Sequence, residues 1–223
     1  MRILAFEFSS NHRSVAVAET DAAGNARVLA TESETGGRSI HALGMVERAL
    51  QSAQLEREQI EHLALALGPG SNMGIRISIS LAQGWQLALG TRLLGISSAD
   101  CLAAQAQRAG CVGRAAVVID AQRNEIYLGL YDLDAMGWRA AEPLRIVSVA
   151  DAAALNPRVE HWIGPEATRW FPRGRVFTAD AVTVAQLAAG RGDFIAGAQL
   201  EPVYLRAMQF VKAPPPRVLP TIP

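Results

Sequence analysis

Lysine is almost missing from this chain: of its 21 basic residues only Lys212 is a lysine. A Schiff-base or phosphate-clamping lysine would have to be that residue, beside the proline-rich end, which is a poor catalytic position. Cysteine is nearly as scarce. Cys101 and Cys111 are too few for a disulfide framework, and without clustered histidines they make no structural zinc set. His12, His41, His62 and His161 share no ligand spacing, with neither HExxH nor an i, i+4 pair, which argues against a zinc hydrolase. No serine lies in GxSxG, the commonest serine-hydrolase arrangement. No apolar run approaches the length of a membrane span, and MRILAFEFSS lacks a signal peptide's apolar stretch and cleavage site. A cytoplasmic protein without a membrane contact is expected. Net charge is zero, so no global field draws the chain onto nucleic acid, although a protein that helps another bind RNA is not excluded.

What is present is core-forming sequence. Half of the 223 residues are apolar and 19% are charged, enough for one large domain or two small ones. The segment 62–97 reads as strand, glycine-rich turn, helix and strand, a βαβ crossover. Its turn, Gly68-Pro69-Gly70-Ser71, breaks the strand, and Ser71 or Asn72 caps the helix. Gly68, Gly70 and Gly74 fit either close backbone packing or an anion or partner contact, because the run is neither a phosphate-binding loop nor a dinucleotide fingerprint. Arg76, near the helix start, fits either a salt bridge or a surface open to an anion.

Before this unit, strands at 2–9, 14–19 and 27–34 form a meander. A helix over 39–54 carries Leu43, Val46, Leu50 and Ala53 on one stripe, widened by Ala42, Met45 and Ala49. The helix over 75–89 turns Ile75, Ile79, Ala82 and Trp85 one way, while Gly74, Ser78 and Ala82 leave room for close approach. Both have more apolar surface than one sheet face requires. Either they are wedged between sheet and neighbouring helix, or part of the surface is kept for a partner.

A third helix, 97–109, ends at Gly110, after which the pattern restarts with strands at 115–120, 125–131 and 138–147. A short helix (148–155), strands at 161–164 and 175–177 around a helical insert (166–170), a last helix (183–189) and an extended segment (201–206) follow. This predicts a duplicated α/β fold: residues 1–110, a second and reduced half at 111–213, and a proline-rich tail at 214–223.

Glu7 and Asp120 end the first strands of the two halves. They could hold hydrated magnesium with a nucleotide between the halves, or each could bond to the amides of its own turn, which is favoured because no phosphate loop or adenine motif accompanies them. With Ser9, Gly70, Ser71 and Arg76 they make up the candidate anion or nucleotide contact.

In order and spacing, the strand running into GPGS, Gly74-Ile75-Arg76 opening a helix, LLGISS before the next, Ile119 to Tyr127 (IDAQRNEIY) and Pro202 to Arg206 (PVYLR) together resemble the bacterial TsaB family. The resemblance implies an actin and sugar-kinase type (ASKHA, ribonuclease H-like) fold. It also implies a non-catalytic subunit that forms a heterodimer with TsaD in making N6-threonylcarbamoyladenosine at tRNA position 37. TsaE, an ATPase, associates with that pair, a homodimer is an option for the chain alone, and tRNA is met only through the complex. No cofactor or metal of its own is implied, with ATP or ADP at the junction with the partner left open. The pairing surface falls on the first two helices, which places Ala42, Met45, Val46, Ala49, Ala53, Gly74, Ser78, Ala82 and Trp85 at the interface. The alternative is a small-molecule kinase or peptidase of the same fold acting alone. The chain departs from the family pattern at Glu7-Phe8-Ser9, where Asp-Thr-Ser is usual, at Ser39-Ile40-His41, and at Asn72-Met73, where Phe-Thr is usual.

Overall fold

The computed structural model describes residues 1–36, 40–155 and 158–206. Ser39, Lys212 and the proline-rich tail, all of which entered the sequence reading, lie outside the described residues. Two five-stranded sheets carry the chain. The first contains β1 (Arg2–Glu7), β2 (His12–Thr20), β3 (Ala26–Thr35), β4 (His62–Ala66) and β5 (Arg92–Ile96), in the order β3-β2-β1-β4-β5. The second contains β6 (Gly113–Asp120), β7 (Glu125–Leu133), β8 (Trp138–Ser148), β9 (His161–Gly164) and β10 (Arg175–Val176), in the order β10-β9-β6-β7-β8. Read from its meander edge, the second order repeats the first. In both, an antiparallel three-strand meander is extended by two parallel strands. This repetition is the duplicated fold of the actin and sugar-kinase type.

Helices α1 (Ala42–Ala53), α2 (Asn72–Leu89) and α3 (Ser98–Arg108) belong to the first half of the sequence, and α4 (Val149–Ala153), α5 (Ala167–Trp170) and α6 (Ala181–Ala188) to the second. Four of them open on a side-chain cap, α2 through Ser71, which accepts from the Gly74 amide. Ser97 accepts bonds from the amides of Ala99 and Asp100 to open α3, Ser148 caps α4 through the Asp151 amide, and Asp180 caps α6 through the Thr183 amide. Gly90, at φ 69°, ends α2 in the left-handed conformation that suits glycine.

Alternation along the strands sorts side chains into layers. Leu4, Phe6, Val15, Val17, Leu63 and Leu65 face outward beneath α1 and α2. Ile3, Ala5, Ala16, Ala18, Ala64 and Ala66 face inward, onto a central layer made by α3 and α6. The inward face is mostly alanine, so the helices can approach the sheet closely. The second sheet contributes Ala115, Val117, Ile119 and Ile163 to the same central core, and covers its outer face with α4 and α5 through Trp162 and Phe171, whose rings stack at 3.7 Å.

The two central helices cross over. α6, late in the chain, lies on the strands of the first sheet, and α3 lies against strands of the second. Residues 195–206 also return to the first half. The Ile195 amide donates to the Leu93 carbonyl at 2.9 Å, and the Val203 amide to the Leu67 carbonyl at 2.8 Å. Gly110 therefore marks where the strands change sheets, while the packing crosses that point in both directions.

Candidate functional site

Two concave surfaces hold residues singled out in the sequence. The first is a polar cleft between the halves, about 360 Å³, walled by the β1–β2 turn (Ser9, Ser10, Asn11), the β4–α2 turn (Gly70, Ser71), Ser98, and Asp120, Gln122 and Glu166 across from them. Gly70, at φ 150°, allows these turns to meet: a Cβ there would lie 2.1 Å from the Ser9 carbonyl oxygen. The Ser71 amide donates to that same oxygen at 2.6 Å. Close backbone approach thus accounts for Gly70, while Gly68, at φ 93°, stands where a Cβ would lie 2.7 Å from the Ile75 side chain.

Glu7 lies beneath the cleft floor with no exposure. Its Oε1 accepts from the Ser9 amide at 2.6 Å and from Ser9 Oγ at 2.5 Å, and its Oε2 from Ser98 Oγ at 3.3 Å. Burial pushes its carboxyl up to about 7, against the lowering effect of these hydrogen bonds. Asp120 does line the cleft. Its Oδ1 accepts from the Gln122 amide at 2.7 Å and its Oδ2 from Arg169 at 3.2 Å. Beside it, Glu166 has its carboxyl raised by burial first, with the Asp120 charge adding to the effect, and its Oε2 has no hydrogen-bond partner. Glu7 and Asp120 are each engaged by their own turns, Glu7 below the floor and Asp120 in the wall. The structure brings Ser9, Gly70, Ser71 and Asp120 together and places Arg76 elsewhere, which corrects its grouping with the cleft.

Arg76 belongs to the second surface, an apolar groove of about 880 Å³ on the outside of the first half, between α1 and α2. Leu43, Met73, Ile77 and Leu81 provide its apolar lining, and Leu43 and Met73 are 59% and 64% exposed. The residues expected at a partner interface sit differently. Met45, Val46, Ala49, Gly74, Ser78 and Ala82 are buried against the first sheet, and Ala53 and Trp85 are half-buried on the same cluster. Of the nine, only Ala42 reaches the groove. The reason is geometric: the stripe 42-45-46-49-50-53 is the face α1 turns to its own sheet, and Gly74 is small because the Phe8 carbonyl oxygen would lie 1.8 Å from a Cβ there. The sequence reading put Leu43 on the main stripe of α1 and took Met45 and Ala49 as its widening, and the structure reverses them: Met45 and Ala49 are buried while Leu43 points to the groove. The signal for the groove was a second row on α2, Met73, Ile77 and Leu81, repeating every four residues.

A duplicated α/β fold of the actin and sugar-kinase type, with an engaged cleft and an open helix-pair groove, defines the class. The family model described as TsaD, tRNA N6-adenosine threonylcarbamoyltransferase, matches residues 38–189. The chain is 29% identical to the tRNA threonylcarbamoyladenosine biosynthesis protein TsaB of Escherichia coli, over 92% of this chain and 95% of that protein. It is 33% identical to the TsaB of Buchnera aphidicola, over 58% of this chain and 60% of the relative's length. Among solved structures, YeaZ from Pseudomonas aeruginosa superposes with a TM-score of 0.75 at 26% identity, covering 92% of this chain and 99% of that one. A second Pseudomonas aeruginosa structure, described as an uncharacterized protein with similarity to peptidase YeaZ, superposes with a TM-score of 0.76 at 28% identity, covering 92% and 99%. The chain belongs to the TsaD family, in its TsaB branch. Among the described residues, no helix is long and apolar enough to cross a membrane.

Proposed function

We propose that this chain is the non-catalytic subunit that pairs with a TsaD-type threonylcarbamoyltransferase, in the cytoplasm, and supports its modification of tRNA. The observation that carries this reading is the open apolar groove between α1 and α2. Those are the two helices through which the TsaB resemblance implies pairing. The groove exposes Leu43 and Met73 where a monomer would be expected to cover such side chains. The cleft supports the same reading from the other side, since Glu7 and Asp120 are both held by their own turns. TsaE would then meet the pair rather than this chain alone, and tRNA would be reached through the assembly.

Co-purification with the cognate TsaD tests the reading. A heterodimer is expected at micromolar concentration and in moderate salt, because apolar contacts survive charge screening. Leu43→Glu or Met73→Glu should abolish it while the isolated chain keeps its melting temperature. Mixing the two proteins and failing to detect association at micromolar concentration would sink the proposal, as would threonylcarbamoyl transfer by this chain without TsaD.

A further inference from the structure

Charge at the groove is one-sided. Its lining includes His41, Arg48 and Arg76 and no acidic side chain. Two of these basic side chains are already engaged from within the chain: Arg48 Nε lies 2.9 Å from Glu32 Oε2, and His41 Nδ1 lies 3.2 Å from Glu34 Oε2. Arg76 is different. It is exposed, one residue beyond Ile75 of the core face, and among the described residues it has no hydrogen bond, ion pair or ring contact. A guanidinium at the edge of an apolar groove is weakly hydrated, rigid and suited to a carboxylate on whatever covers that groove.

We propose that the partner laid into this groove presents an aspartate or glutamate to Arg76, and that this ion pair selects that partner over a second copy of this chain. The proposal rests on the groove being the pairing surface. Two-fold pairing of identical chains sets a surface against itself, so Arg76 would meet only the lining of this same groove, in which no acid is free to receive it. A guanidinium brought into such an interface without a carboxylate loses water and gains no counter-charge, which penalises that pairing. A heterologous partner with a suitably placed carboxylate pays no such penalty. The apolar lining supplies the attraction and Arg76 supplies the choice.

The test is binding of the full chain to the cognate TsaD by titration calorimetry at low and high salt, together with sedimentation of the chain alone. Arg76→Ala should weaken the heterodimer about tenfold and flatten its salt dependence, and Arg76→Glu should weaken it about a hundredfold, with unchanged melting temperatures because the residue is exposed. Replacing the facing acid of TsaD with arginine should restore binding to Arg76→Glu. Alone, Arg76→Glu should self-associate more readily than the wild type, since an acid would now face Arg48 and His41 across the two-fold. Wild-type affinity and salt dependence in Arg76→Ala would overturn this proposal while leaving the pairing surface intact. A wild-type chain that forms a tighter homodimer than Arg76→Glu would overturn the selection. No binding by the wild type would overturn both this proposal and the reading beneath it.

Discussion

Glu7 takes its properties from its surroundings. Its carboxyl is wholly buried and titrates near 7 instead of the usual 4.5, with desolvation as the leading cause. Between those values the folded chain keeps a proton that the unfolded chain has released, so the contribution to stability is fullest below pH 4.5, declines as pH rises through about 7, and is flat above it. A shift of this size corresponds to about 3 kcal/mol across that window. Glu7→Gln keeps an acceptor for Ser9 and offers an amide donor to Ser98 Oγ. It should remove most of this slope and leave the protein more stable than wild type at pH 8, measured by urea unfolding at pH 5, 6.5 and 8. An unchanged slope would mean that the carboxyl is not protonated in the folded state. Both roles weighed for this residue in the sequence, a metal-binding carboxylate and a turn-bonded one, fit a strand-end acid. Only the positions of Ser9 and Ser98, the second 91 residues away, show that its oxygens are already taken.

Helix positions were legible in the sequence because caps and apolar periodicity mark them, and α1 and α2 fall where the periodicity places them apart from a few terminal residues. Which apolar residues face the sheet and which face outward was not legible, because a wide stripe looks the same whether its excess is buried by a neighbour or left open. The two sets respond differently to charge. Ala49 and Ala82 have no exposure, so Ala49→Arg or Ala82→Arg should unfold the chain, seen as a lost cooperative thermal transition. Leu43→Glu, on the groove, should leave that transition in place. Gly74→Ala should destabilise by about 2 kcal/mol or more without touching the groove, because α2 would have to move away from Phe8. A thermal shift series across these variants checks all of them, and a folded Ala82→Arg would return that face of α2 to the surface.

At the scale of the whole molecule, the duplication was legible because the strand and turn pattern restarts after Gly110. The crossing of α3 and α6 was not, since periodicity says that a helix has an apolar face without saying which sheet receives it. The strap formed by residues 195–206 was visible only as an extended segment. In the structure it joins the halves: Asn72 donates to the Tyr204 hydroxyl at 3.2 Å, and Arg206 reaches the Ala121 carbonyl at 2.8 Å and Glu125 at 2.7 Å. Arg206→Ala should therefore speed hydrogen exchange in the turn 121–125 while leaving the centre of the first sheet protected. Uniform loss of protection throughout would show that the strap holds the entire fold rather than one edge. The late position of α6 has a further consequence, for synthesis. A nascent chain emerging from the ribosome cannot finish its first sheet when the last strand of that sheet appears, since the alanine-rich face stays bare until residues 181–188 follow. Maturation of this polypeptide is thus expected to come late and all at once, and a translation product halted at residue 110 should be digested by protease where the released full-length chain resists it.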